Sequence, residues 1–261
     1  MTVVIVGGDK GGIGKDTVSD GLFIAAVQRQ LTPTMFEIEI ERRMAVKYPN
    51  SIYVPTGAPS PEALYARPDL LFAPLDRAAS QMAEQDLAIV NAGASVTTAF
   101  IRWSEGDVGR AFFGDGEILH FVCLLTMQDQ ALRSGFSNLA RFGEIYPQAR
   151  RTAVLNPVVA DFVEGDQNIE RAIEAATGKA QPINVIKIER MAAPAWGYMM
   201  NQGRLDQIAS MSWKDLVALG LPEAPSIRSA GIFEGWLKRL LASLGPILPD
   251  AKPTNRKAKK E

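Results

Sequence analysis

The chain has 261 residues, 47% of them hydrophobic and 22% charged, and a formal net charge of −1. That composition suits one large folded domain and excludes a global basic field, so any contact with nucleic acid or a membrane surface must come from a local patch. The single cysteine, Cys123, excludes an internal disulfide, and with the single histidine, His120, it cannot assemble a Cys/His metal centre. Both sit in one apolar run, where a buried strand position is expected for each.

In chain order, short apolar runs predict strands over 2–6, 35–40, 51–54, 87–91, 118–126, 152–156 and 183–188. Between and after them, helices are predicted over 15–30, 69–84, 96–103, 128–145, 165–176, 204–209 and 226–244. Strands that are apolar throughout need both sheet faces covered, and their alternation with helices predicts βαβ units. The expected fold class is therefore α/β, a single doubly wound, mostly parallel sheet with helices on both faces. Residues 1–249 are read as one domain and 250–261 as a disordered basic tail carrying Lys252, Arg256, Lys257, Lys259 and Lys260. The tail is either merely solvated or a weak contact for nucleic acid. The last helix carries an apolar stripe of Ile232, Phe233, Trp236, Leu237, Leu240 and Leu241, which reads as a closing helix packed on the sheet. No apolar stretch approaches the ~18–20 residues that span a bilayer. The N-terminus enters a strand at once with no basic segment before it, so no secretory signal is expected and the protein is read as cytoplasmic.

The first strand runs into Gly7-Gly8-Asp9-Lys10-Gly11-Gly12-Ile13-Gly14-Lys15-Asp16-Thr17. A strand, a glycine-rich loop and a lysine opening a helix are the grammar of a phosphate-binding loop. Gly11, Gly12 and Gly14 let the backbone approach an anion, successive N–H groups cradle it, and Lys15 reaches the β- and γ-phosphates. Lys10 is a second lysine inside the loop, where the ordinary motif needs no cation.

The stretch from Lys10 to Lys15 resembles the deviant Walker A motif of the ParA/MinD family of dimeric ATPases. The resemblance implies a P-loop NTPase fold, ATP and Mg²⁺ as ligands, and a homodimer formed on ATP binding. In it Lys10 would cross to the partner's nucleotide, and Gly11, Gly12, Ile13, Gly14, Lys15, Asp16 and Thr17 would hold ATP. The family keeps an Asp-x-Asp pattern at the end of its second strand, whose second acid positions the attacking water. Glu37 and Glu39 stand there in this chain, so Glu39 is expected beside Lys10 and Lys15 in catalysis and, with Asp16, at the metal. Alternating glutamates are equally the solvent side of an edge strand. At the end of the fourth strand the family keeps an aspartate. Here Asn91 replaces it, followed by Gly93, whose N–H would serve a γ-phosphate-sensing loop.

Asp16 departs from the Ser or Thr that a P-loop carries after its lysine. It either ligates Mg²⁺ directly, making up the charge missing at Asn91, or marks a site with impaired chemistry, or simply starts the helix, where an acid is favourable. Asn156-Pro157 follows the sixth strand, where relatives use an asparagine to read the adenine edge; Asn-Pro is also an ordinary turn starter. Pro194 is a further candidate to cover the base. The stretches Asn91-Ala92-Gly93-Ala94-Ser95, Gln130-Ala131-Leu132 and Val154-Leu155-Asn156-Pro157 are similar to the TraL/StbB branch encoded by conjugative plasmids. That likeness implies a role in plasmid partition, stability or conjugal transfer, with non-specific DNA or a plasmid-encoded DNA-binding protein as partner and no membrane. Two alternatives stay open: a pseudo-ATPase scaffold that works by protein contact, and a metabolic enzyme acting on a small substrate.

Overall fold

Each of the seven apolar runs forms a strand: β1 (Thr2–Gly7), β2 (Pro33–Glu39), β3 (Ile52–Pro55), β4 (Leu87–Ala92), β5 (Leu119–Leu125), β6 (Arg150–Leu155) and β7 (Ile183–Lys187). In the computed structural model, which describes residues 1–40, 42–56, 72–94, 96–200 and 203–250, they make one sheet in the order β3-β2-β4-β1-β5-β6-β7. All neighbouring pairs are parallel. Glu41, Ser95, the start of the helix expected from residue 69, and residues 251–261 of the expected tail lie outside the described residues.

The helices are α1 (Lys15–Gln28), α2 (Met44–Lys47), α3 (Ala73–Ala83), α4 (Val96–Ser104), α5 (Asp107–Phe113), α6 (Asp129–Ile145) and α7 (Gln167–Thr177). They continue with α8 (Trp196–Met199), α9 (Leu205–Ala209), α10 (Trp213–Ala218) and α11 (Glu223–Leu244). Side chains alternate across a strand, so β1 assigns the layers. Val3 and Ile5 join the core formed with α3 to α7, through Met82, Phe100, Leu139 and Ile169. Val4 and Val6 join the opposite core, formed with α1 and α9 to α11 through Leu22, Ile208, Leu216 and Phe233. The stripe on α11 is buried at Phe233, Trp236, Leu237 and Leu240, partly buried at Leu241 and exposed at its start, Ile232. No helix among the described residues is long and apolar enough to cross a membrane.

His120 and Cys123 are buried in β5. Both His120 ring nitrogens have partners, Nδ1 at 3.0 Å from the Ile247 carbonyl and Nε2 at 2.7 Å from Thr152 Oγ1. Burial, and then the nearby Arg150, push its pKa down to about 3. Burial raises the Cys123 thiol pKa, so the group is an inert core side chain.

From β1 the chain builds to one side through β2, β3 and β4, and after β4 it crosses to the other side through β5, β6 and β7. β1 lies between β4 and β5, with Ile5 opposite Val90 and Phe121. The carboxyl end of β1 is thus the point where the winding reverses, and in open α/β sheets ligands bind in the crevice outside that edge.

Candidate functional site

Residues 8–14 leave the end of β1 and deliver the chain into α1. Gly14 is the residue before the helix, in a left-handed conformation with φ 92°, and among the described residues no side chain caps α1. The first-turn N–H groups of a helix have no partner within it, so an uncapped start is ready for an external anion. Gly14 is required on two counts. Its φ is strained for any residue with a Cβ. A Cβ there would also lie 2.5 Å from Asn156 Nδ2.

Lys15 is nearly buried, and its ammonium group donates to the Gly8 carbonyl at 3.1 Å and the Lys10 carbonyl at 2.8 Å. Burial lowers its pKa, against the opposing fields of Asp16, Glu39 and Asp9. A buried cation whose hydrogen-bond partners among the described residues are neutral carbonyls is a strong attractor for a phosphate. Lys10 itself is exposed and is not among the residues lining the cleft.

The loop opens onto a cleft of about 550 Å³. One end is lined by Gly11, Gly12, Gly14, Lys15, Asp16, Thr17, Glu39, Arg43 and Ala94. The other is lined by Asn156, Pro157, Ile188, Met191, Trp196, Met200 and Trp236. Of the expected site residues, this brings together the loop, Glu39, Asn156 and Pro157.

Asn91, Gly93 and Glu37 lie around the cleft in roles that the sequence did not reveal. The Asn91 amide donates to Asp16 Oδ1 at 2.9 Å, and its oxygen accepts from Ser19 Oγ at 3.2 Å. The Gly93 N–H, expected to sense phosphate, donates to the Ile38 carbonyl at 2.9 Å and ties the end of β4 to β2. A Cβ at Gly93 would fall 2.3 Å from Glu39 Oε2, so the glycine makes room for that carboxylate.

The two glutamates of β2 divide. Glu37 is fully buried and accepts from the backbone N–H groups of Arg43 (2.6 Å), Met44 (2.7 Å) and Ala45 (3.0 Å). It is the N-terminal cap of α2, where a carboxylate satisfies donors that the helix cannot. Glu39 is half-buried and reaches the cleft, and among the described residues its side chain accepts only from the following Ile40 N–H at 3.1 Å. Neither lies on the solvent side of an edge strand, because β2 is covered by β3 and β4.

Asn156 holds the loop from the opposite side, donating from Nδ2 to the Ile13 carbonyl at 2.8 Å. Pro194 is exposed and does not line the cleft; the far wall is made instead by Met191, Trp196, Met200 and Trp236. Trp196 stacks on Phe233 with ring centroids 5.6 Å apart, and Trp236 Nε1 donates to the Glu189 carbonyl at 2.8 Å. Asp9, also missed, accepts from Thr98 Oγ1 at 3.0 Å and Asn138 Nδ2 at 2.7 Å, fastening the loop to α4 and α6. An acid inside an anion-binding loop was itself a signal that it must be held away from the anion.

No cluster of three or more His, Cys, Asp or Glu side chains suited to a metal occurs among the described residues. Asp16 and Glu39 are two carboxylates on one cleft. That donor set does not make an all-protein cage, but it fits Mg²⁺, which takes one or two carboxylates and completes its shell with water and substrate phosphates.

The chain is similar to the MinD cell division protein of Aquifex aeolicus at 10% sequence identity and a TM-score of 0.44, over 93% of this chain and 97% of that one. It is also similar to apo McdA of Cyanthece, at 12% identity and a TM-score of 0.42, over 92% of this chain and 99% of that one. No protein-family model matches the chain, and no curated protein does.

Proposed function

We propose that this chain is a ParA-like ATP-binding dimerisation switch. The observation that supports it most directly is the start of α1: an uncapped helix after a left-handed Gly14, with the Lys15 ammonium buried against loop carbonyls at the mouth of the cleft. Triphosphate would lie on the N–H groups of residues 11–17, drawing Lys15 from the Gly8 and Lys10 carbonyls. Thr17 would reach the α-phosphate. Asp16 and Glu39 would hold Mg²⁺, which when bound with ATP neutralises phosphate charge. The base would lie at the far end, between Pro157 and the Met191–Trp196 wall. The Asn156 side-chain oxygen accepts no hydrogen bond among the described residues and so would take the adenine amino group.

In the hydrolytic step Glu39 would orient the attacking water, and Lys15 would stabilise charge on the transferred phosphoryl group. Lys10, exposed on the loop and outside its own cleft, would act on the nucleotide of a second copy, so ATP would close a face-to-face homodimer. The output would be positioning or transfer of plasmid DNA, through non-specific DNA or a plasmid-encoded DNA-binding protein. That part rests on the family resemblance of the sequence.

One observation favours a second reading, an ATP-holding scaffold with little turnover. The neutral Asn91 side chain is held at both ends by Asp16 and Ser19, leaving Glu39 as the one carboxylate free of side-chain partners in the cleft among the described residues. Sedimentation and phosphate release with Mg²⁺ and ATP, for wild type and Lys10→Ala, test both. The expected result is an ATP-dependent wild-type dimer and a Lys10→Ala protein that binds ATP as a monomer. A Lys10→Ala protein that still dimerises removes the trans role, and wild-type dimers without phosphate release leave the scaffold.

A further inference from the structure

The second inference rests on the nucleotide reading above and concerns the three buried or half-buried side chains behind the metal position. A P-loop site divides its Mg²⁺ contacts between a Ser or Thr hydroxyl after the lysine and a strand-end aspartate. This chain has the two chemistries at the opposite places, with Asp16 after the lysine and Asn91 at the end of β4. They touch, Asn91 Nδ2 donating to Asp16 Oδ1 at 2.9 Å. Behind them Ser19 Oγ donates to Asn91 Oδ1 at 3.2 Å.

The directions of these bonds are forced. An ionised carboxylate only accepts, so Asn91 must offer it the amide NH₂. That turns the Asn91 oxygen toward Ser19, which must then donate. Ser19 follows Asp16 by three positions on α1, so the two share a helix face and one amide spans them. Asp16 Oδ2 accepts no hydrogen bond among the described residues, which leaves it for a cation. A carboxylate serving only to start the helix gains from the helix dipole while solvated and needs no such support. Here Ser19 is 0% and Asn91 3% exposed, a polar pair desolvated in order to hold a half-exposed acid.

We propose that Asp16 supplies the acidic Mg²⁺ contact that a strand-end aspartate would otherwise make, and that Asn91, standing at that strand end, supports the Asp16 carboxylate instead of the metal. Ser19 is a positioning residue that fixes the Asn91 amide, and through it the Asp16 carboxylate, toward Mg²⁺.

The exchange is tested by reversing it. ATP affinity with and without Mg²⁺, and the melting temperature of the nucleotide-free protein, are measured for wild type, D16S, N91D, D16S/N91D and S19A. N91D sets two carboxylates at hydrogen-bonding distance and is expected to lower the melting temperature. D16S is expected to lose about tenfold of the Mg²⁺-dependent gain in affinity, read as the ratio of ATP affinities with and without Mg²⁺. The double variant restores one acid and one hydroxyl donor, and is expected to recover both readouts to within about threefold and a few degrees of wild type. S19A is expected to lose a few-fold of the Mg²⁺ gain only. The exchange is overturned by a D16S protein with an undiminished Mg²⁺ gain, or by a double variant whose losses are the sum of the single ones. Wild-type ATP binding that ignores Mg²⁺ also overturns it and leaves the nucleotide reading standing, whereas no ATP binding at all overturns both.

Discussion

At the glycine-loop end of the cleft several polar side chains are held by other groups. Asp9 is held by Thr98 and Asn138, Lys15 by two carbonyls and Asp16 by Asn91. The far end is different: Met191, Trp196, Met200 and Trp236 present apolar and aromatic surface. The two ends therefore suit different parts of one ligand. A preorganised polar cradle matches a charged group whose geometry does not vary. An apolar wall matches a flat ring and tolerates adjustment.

The largest effect expected from breaking this division concerns the two glutamates of β2. Glu37→Ala strips the acceptor from three backbone N–H groups at the start of α2 and is expected to destabilise the fold by about 3 kcal/mol in denaturant unfolding. Glu39→Ala is expected to leave stability within about 0.5 kcal/mol and to suppress phosphate release. Equal stability losses would mean that Glu39 is structural too. Next in size is Gly14→Ala. A left-handed φ and a clash with Asn156 are expected to cost about 2 kcal/mol, read as roughly 30-fold weaker binding of both ATP and inorganic tripolyphosphate. The smallest change sharpens the contrast. Trp196→Ala is expected to weaken ATP by about tenfold, the worth of one stacking contact, and to leave tripolyphosphate unchanged. A parallel loss for tripolyphosphate would show that the two ends are not independent.

The same contrast sets what was legible in the sequence. All seven strands were readable because each is a continuous apolar run covered on both faces, and most boundaries shifted by only one or two residues. The short helices α2, α5, α8 and α10 were not, although the equally short α9 was. The glycine-loop end was legible because its loop is contiguous and its glycines and lysines have fixed spacing. The far wall was not, because it is assembled from residues after β7, from α8 and from α11, which only the fold brings together. Glu37 and Glu39 looked alike because their difference lies in the chain after β2. That chain turns back and presents three N–H groups to one of them.

The central claim is that Lys15 and the loop before it hold a nucleoside triphosphate. Calorimetric titration of ATP with Mg²⁺ into wild type and Lys15→Ala tests it most directly. Saturable wild-type binding that falls by about a hundredfold or more in Lys15→Ala is the predicted result, since the variant removes the buried cation from the phosphates. Equal affinity in the two proteins would contradict the claim.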